Sequence, residues 1–152
     1  MKQGNNLPGA YKRLGFITLA LITGAWFFIL EAKFFIKPAV KTANDTFFWV
    51  FIAIGTINLL ASVFLYNHPV KSCRKKETLM GKLSCFQTVY LIRMALIEGV
   101  ALFGVVGYMV TGDERLWTGA VLFGLVMIWY YPRRQVIVRD LELSAQEEMM
   151  LE

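Results

Sequence analysis

Residues 86–110, FQTVYLIRMALIEGVALFGVVGYMV, form a run of 25 residues whose only formal charges are Arg93 and Glu98. A bilayer hydrocarbon core about 30 Å thick is crossed by roughly 20 helical residues. Inside that core, backbone N–H and C=O groups find partners only within helices or closed barrels. Three further windows, 14–36, 46–66 and 116–131, have the same apolar character. The last is 16 residues long; Trp117, Trp129, Tyr130 and Tyr131 supply the amphipathic rings that anchor span ends at an interface. With 57% hydrophobic and 18% charged residues, the chain is expected to be all-α. The expected fold is a polytopic four-transmembrane-helix bundle over residues 1–132, followed by a tail, 133–152.

The connections carry a charge asymmetry. Eleven Lys and Arg residues (Lys2, Lys12 and Arg13; Lys71, Arg74, Lys75, Lys76 and Lys82; Arg133, Arg134 and Arg139) fall on one side, and four (Lys33, Lys37, Lys41 and Arg115) on the other. The positive-inside rule places both termini and the 67–85 connection in the cytoplasm, as in a bacterial inner-membrane protein. The net charge of +5 then reflects topology and not nucleic-acid binding. The first apolar stretch is too long for a cleaved signal peptide and reads as a retained anchor. Lys71, Arg74, Lys75 and Lys76 are candidate contacts for anionic lipid headgroups, because basic clusters beside a span attract them. The 67–85 connection reads as a turn at His68–Pro69 followed by a partly helical basic stretch. Cys73 and Cys85 within it are expected to be reduced and inert, and with one histidine they lack the paired spacing of a zinc site.

Charge inside a span costs several kcal/mol, so intramembrane ionisable groups need a partner or a purpose. Four polar side chains fit that description: Glu98, Arg93, Asn58 and Gln87. Counting rise from Phe86 places Arg93 about 10 Å deep and Glu98 about 18 Å deep, with Asn58 level with Arg93. An Arg93–Asn58 contact across the second and third spans is therefore expected. Arg93 and Glu98 point about 140° apart on a helical wheel and should meet different neighbours. Small-xxx-small pairs at Ala20/Gly24, Ala95/Gly99 and Ala120/Gly124 predict close helix crossings. Ser144-Ala-Gln-Glu147 has the capping-box pattern of a helix start. Ile137/Leu141 and Met149/Met150/Leu151 form an apolar stripe on a short amphipathic tail helix.

The segment Ala95-Leu-Ile-Glu98-Gly-Val-Ala-Leu-Phe-Gly104-Val-Val resembles the carboxylate helix of the c (or K) proteolipid subunits of rotary ATPases. That resemblance covers residues 95–106 and implies a proton- or cation-binding Glu98. More broadly, Gln87, Ile92-Arg93, Ala95-Leu-Ile-Glu98-Gly99, Leu102-Phe103, Thr111-Gly112, Tyr131-Pro132 and Asp140-Leu-Glu-Leu143 resemble small four-span inner-membrane proteins of Bacteroidota-type bacteria. This second resemblance implies a membrane location and brings no activity. No nucleophile–base set, metal cluster or phosphate loop stands out, so no enzymatic activity, metal or cofactor is expected. The expected role is a scaffold or accessory subunit in which Arg93 and Glu98 mediate helix or partner contacts, within a homo-oligomer or larger membrane complex in contact with lipid. The alternative is a proton- or cation-translocating element centred on Glu98.

Overall fold

The computed structural model describes residues 7–36 and 45–149, and among them all regular structure is helical. Lys2, Lys37 and Lys41 of the charge count and Met150 and Leu151 of the tail stripe lie outside the described residues. Four long helices, α1 (Leu7–Phe34), α2 (Asp45–Arg74), α3 (Leu79–Thr111) and α4 (Glu114–Trp129), precede two short ones, α5 (Arg134–Leu141) and α6 (Ala145–Met149). Three helices are long and apolar enough to cross a membrane: Lys12–Phe34, Asp45–Arg74 and Leu79–Thr111. Their outward faces carry bare apolar side chains such as Phe16, Phe27, Leu60 and Phe64. A soluble protein does not tolerate a patch of that extent, and the surface is that of a membrane protein.

α3 is the central element. It packs against α1, α2 and α4; α1 also lies on α4, while no comparable packing joins α1 to α2 among the described residues. Lipid is as apolar as a leucine core, so helices associate there by close packing and not by hydrophobic burial. The closest packing is built around Phe51. Its ring, 2% exposed, enters a notch where a Cβ at Gly104 would lie 2.9 Å from the Phe51 ring, 2.9 Å from the Leu116 carbonyl oxygen and 3.1 Å from the Ala120 methyl. Gly119 opens the α4 side of the same notch. Phe123 meets Phe51 edge-on at 5.9 Å and Phe103 stacks on it at 6.5 Å.

Of the three small-residue pairs, only Ala120/Gly124 is used inside the bundle, with Gly124 against Ile29 and Trp26 of α1. Ala20 and Ala95 are exposed, and added Cβ atoms at Gly24 and Gly99 would meet nothing within 4 Å. Two of the expected close crossings are therefore not made within one chain.

A tight turn joins α3 to α4. Gly112 takes the left-handed conformation (φ 69°) and its N–H donates to the Tyr108 carbonyl at 2.7 Å, a helix stop that a Cβ would disfavour. Asp113 then caps α4 by accepting from the Arg115 N–H at 3.0 Å. Charge gathers at this end. Arg115 also bridges to Asp45 at the start of α2 (2.8 Å), and Lys33 at the end of α1 pairs with Glu114 and lies 4.8 Å from the Trp117 ring centre. Trp117 Nε1 donates to the Ile29 carbonyl at 3.0 Å.

The opposite, basic end departs from expectation. No turn forms at His68–Pro69: α2 continues through Pro69 to Arg74, and the chain reverses at 75–78. Pro69 forfeits one backbone hydrogen bond, yet the extra turns bury Val70 and Cys73 against α3 and the tail. Extending both helices brings Cys73 and Cys85 face to face, with Cα atoms 5.5 Å apart and their sulfurs bonded. The expectation of two separate reduced thiols in a loop is thereby corrected.

The tail folds back onto this end. Ile137 and Leu141, one turn apart on α5, are each 1% exposed and pack with Tyr66, Val70, Leu83 and Phe86. The capping box forms as read: Ser144 N donates to Glu147 Oε2 at 2.9 Å, and Glu147 N donates to Ser144 Oγ at 3.3 Å. Glu147 further bridges Lys82 at 2.6 Å, and these donors hold its carboxyl below the usual carboxylate range. Met149, in contrast, is exposed.

Two outcomes follow from this packing. Gly104→Ala should destabilise the protein by about 1–3 kcal/mol, the range for overpacking a tight contact. Gly99→Ala should change stability by less than about 1 kcal/mol, since the methyl enters open space and alanine favours helix. Thermal melts in detergent decide the pair, and equal losses would mean the Phe51 notch is not the tight point. The Lys82–Glu147 bridge should hold the tail fully above the ordinary carboxylate value near 4.5 and release it as pH falls below that, because the group with the depressed folded value is the acid. Hydrogen exchange of α6 across this range should show protection lost on acidification and already absent in Glu147→Gln.

Candidate functional site

The structure separates the two intramembrane charges that the sequence singled out. Arg93 points into the bundle toward α2 and the end of α4. Its guanidinium carbon lies 3.6 Å from the Tyr130 ring centre and 4.5 Å from that of Tyr66. A guanidinium between two rings gains cation–π attraction and sheds water. The expected Arg93–Asn58 contact does not form: Asn58 Nδ2 donates to the Ile54 carbonyl of its own helix at 2.9 Å. The reason is register, since the Tyr66 and Tyr130 rings occupy the faces of Arg93. Gln87 is half-buried and already engaged.

Arg93 lines a cleft of about 810 Å³ between α2, α3, the C-terminal end of α4 and α5. Its aromatic wall is Tyr66, Tyr90, Trp129, Tyr130 and Tyr131. Lys71, Arg74, Arg133 and Arg139 join Arg93 as cations, and Asp140 is the carboxylate among the lining residues. Two hydroxyls shape this wall: Tyr90 donates to the Tyr130 carbonyl at 2.6 Å, and Tyr66 donates to Asp140. The first satisfies a carbonyl left over where α4 ends.

Several of these cations are already committed. Arg74 donates Nε to the Asp140 carbonyl at 2.8 Å and pairs with Glu142, and Arg139 Nε donates to Asp140 at 2.9 Å. Arg93 is different: its Nε is buried without a hydrogen-bond partner. Of the headgroup candidates, Lys71 and Arg74 line the cleft, while Lys75 and Lys76 sit on the exposed reversal outside it. Sequence reasoning missed Tyr66, Tyr130, Arg133 and Asp140 as members of one site. The legible signal was the run Trp129-Tyr-Tyr-Pro-Arg-Arg134, an aromatic belt running straight into paired cations.

Glu98 is half-buried at the border of the open face of α3. Ala95, Gly99 and Val106 are exposed along that face. No hydrogen bond or ion pair reaches the Glu98 carboxyl among the described residues. The two charges meet different neighbours, as their wheel angle required. Among the described residues no group of His, Cys, Asp and Glu side chains is arranged to hold a metal. Compared with protein-family models, curated proteins and solved structures, the chain matches none.

Proposed function

We propose that this chain is a non-enzymatic integral membrane scaffold or accessory subunit that receives a partner helix on the open face of α3, with Glu98 as the polar anchor. The observation that carries this reading is the combination at one place: a half-buried carboxyl with no internal donor, beside Ala95 and Gly99, whose surfaces are open. A carboxyl in hydrocarbon seeks a hydrogen bond, and a small-residue face lets another backbone approach closely enough to supply one. α1 and α2 leave room for it, since both pack on α3 with no comparable packing between them among the described residues. Arg93 serves the other half of the role by joining α2, α3 and the end of α4 through its two rings.

Four crossings with both termini in the cytoplasm fit the heights of the charged and aromatic residues. One level holds Lys33, Asp45, Glu114 and Arg115, tied by ion pairs. The other holds Tyr66, Arg93 and Tyr130, with Tyr131 close to Gly15 of α1. At 1.5 Å per residue the segments between the two levels span about 24–32 Å, comparable to the hydrocarbon core, α4 included. On this reading Arg93 lies at the headgroup border and Glu98 only about 7–8 Å inside it. The eleven-to-four asymmetry of Lys and Arg orients the basic level inward. The Cys73–Cys85 bond lies at this basic level, so its two thiols report on topology once reduced.

Two experiments test this. The chain has two cysteines, so a membrane-impermeant maleimide added with reductant to intact spheroplasts should leave the protein unlabelled until the membrane is permeabilised. Labelling of intact spheroplasts would invert the topology. For the docking face, a photo-crosslinker at position 95 in native membranes should capture a second polypeptide, and Gly99→Leu should abolish capture while the melting temperature holds. A monomer with no crosslink, together with cation flux in liposomes that Glu98→Gln removes, would instead establish the ion-translocating alternative.

A further inference from the structure

We infer that the Arg93 cleft is a binding site for a phosphate group. Five cationic side chains and one carboxylate line it, an excess of positive charge within one cleft. Asp140 offsets only Arg139, with which it is paired, and it also accepts from Tyr66. Arg74 is likewise occupied by Glu142 and by the Asp140 carbonyl. What remains is Arg93, Lys71 and Arg133, none of whose side chains makes a hydrogen bond or ion pair among the described residues.

Arg93 carries the argument furthest. Contact with the Tyr130 and Tyr66 rings holds its guanidinium in place but satisfies no N–H, and its Nε is buried and unpartnered. A half-buried charge gains from a counter-ion, and a buried donor without an acceptor is expensive. One anion with several acceptor oxygens removes both costs. A planar guanidinium favours a tetrahedral oxyanion that accepts two parallel hydrogen bonds. Lys71 and Arg133, from α2 and from the link between α4 and α5, add point charges from two other directions. The aromatic wall suits the glycerol and first methylenes of a lipid as well as the plane of a small organic phosphate. The shared chemistry is therefore a phosphate mono- or diester, delivered by an anionic lipid or by a soluble phosphate. α5 forms one wall, so occupancy ties the tail to the bundle. This site is independent of the Glu98 face and of what docks there.

The test uses the full-length protein in phosphatidylcholine nanodiscs, with or without phosphatidylglycerol, and separately with inorganic phosphate in the buffer. Wild type should retain phosphatidylglycerol in native mass spectra and melt at higher temperature in its presence. Lys71→Gln and Arg133→Gln, both exposed side chains whose loss leaves the fold intact, should each weaken binding about tenfold, the effect of one charge-assisted contact. Arg93→Gln should weaken it further. The Lys75→Gln/Lys76→Gln double variant, outside the cleft, should match wild type. Stabilisation by inorganic phosphate in pure phosphatidylcholine, lost in Lys71→Gln, would assign the site to a soluble phosphate; response to phosphatidylglycerol alone would assign it to lipid. If neither probe stabilises wild type, or the double variant loses as much as Lys71→Gln, the cleft is not a phosphate site.

Discussion

The seat of Phe51 between Gly104 and Gly119 is the contact on which the rest of the bundle depends. In an apolar medium, helices gain little from burying leucine against leucine, and association rests on how near two backbones come. Removing side chains from α3 and α4 at this level lets the ring of α2 enter, so three helices are fixed by one residue. The turn at Gly112–Asp113 holds α3 and α4 antiparallel, and the ion pairs of Lys33 and Arg115 close the same end. At the opposite end the Cys73–Cys85 bond joins α2 to α3 and the tail covers them.

This division leaves the two intramembrane charges in contrasting surroundings. Arg93 is wrapped by rings, so its positive charge is held in place while its donors stay unspent. Glu98 is half-buried beside the exposed Ala95 and Gly99 and has no donor among the described residues. A charge that packs inward organises its own chain, and one that looks outward needs something else to complete it. The same sequence segment thus presents a packed face and an open face of one helix, because positions five apart point about 140° from each other.

The helical class, the places of the long helices, the capping box at Ser144 and the apolar pairing of Ile137 with Leu141 were legible from the sequence, since each is a local pattern of spacing and residue type. The Pro69 turn was misread for the same reason: a local rule marks proline as a helix breaker, but tertiary burial of Val70 and Cys73 outweighs one missing hydrogen bond. The Arg93–Asn58 contact was inferred from equal depth alone, which says nothing about which faces meet. The cleft escaped notice because its members, Tyr66, Arg93, Tyr130, Arg133 and Asp140, come from four separate segments.

The sequence by itself determined that the chain is helical and that its long segments suit a membrane, because hydrophobic length and charge distribution are properties of single segments. It also indicated that Arg93 and Glu98 point to different sides of one helix, since their angular separation follows from backbone geometry. Only the tertiary structure decided which small-residue pairs are filled and which stay open, that Cys73 meets Cys85, and that the basic end closes around a cleft. Those outcomes depend on relative helix rotation and height, which arise from packing between segments and leave no trace in the periodicity of any one of them.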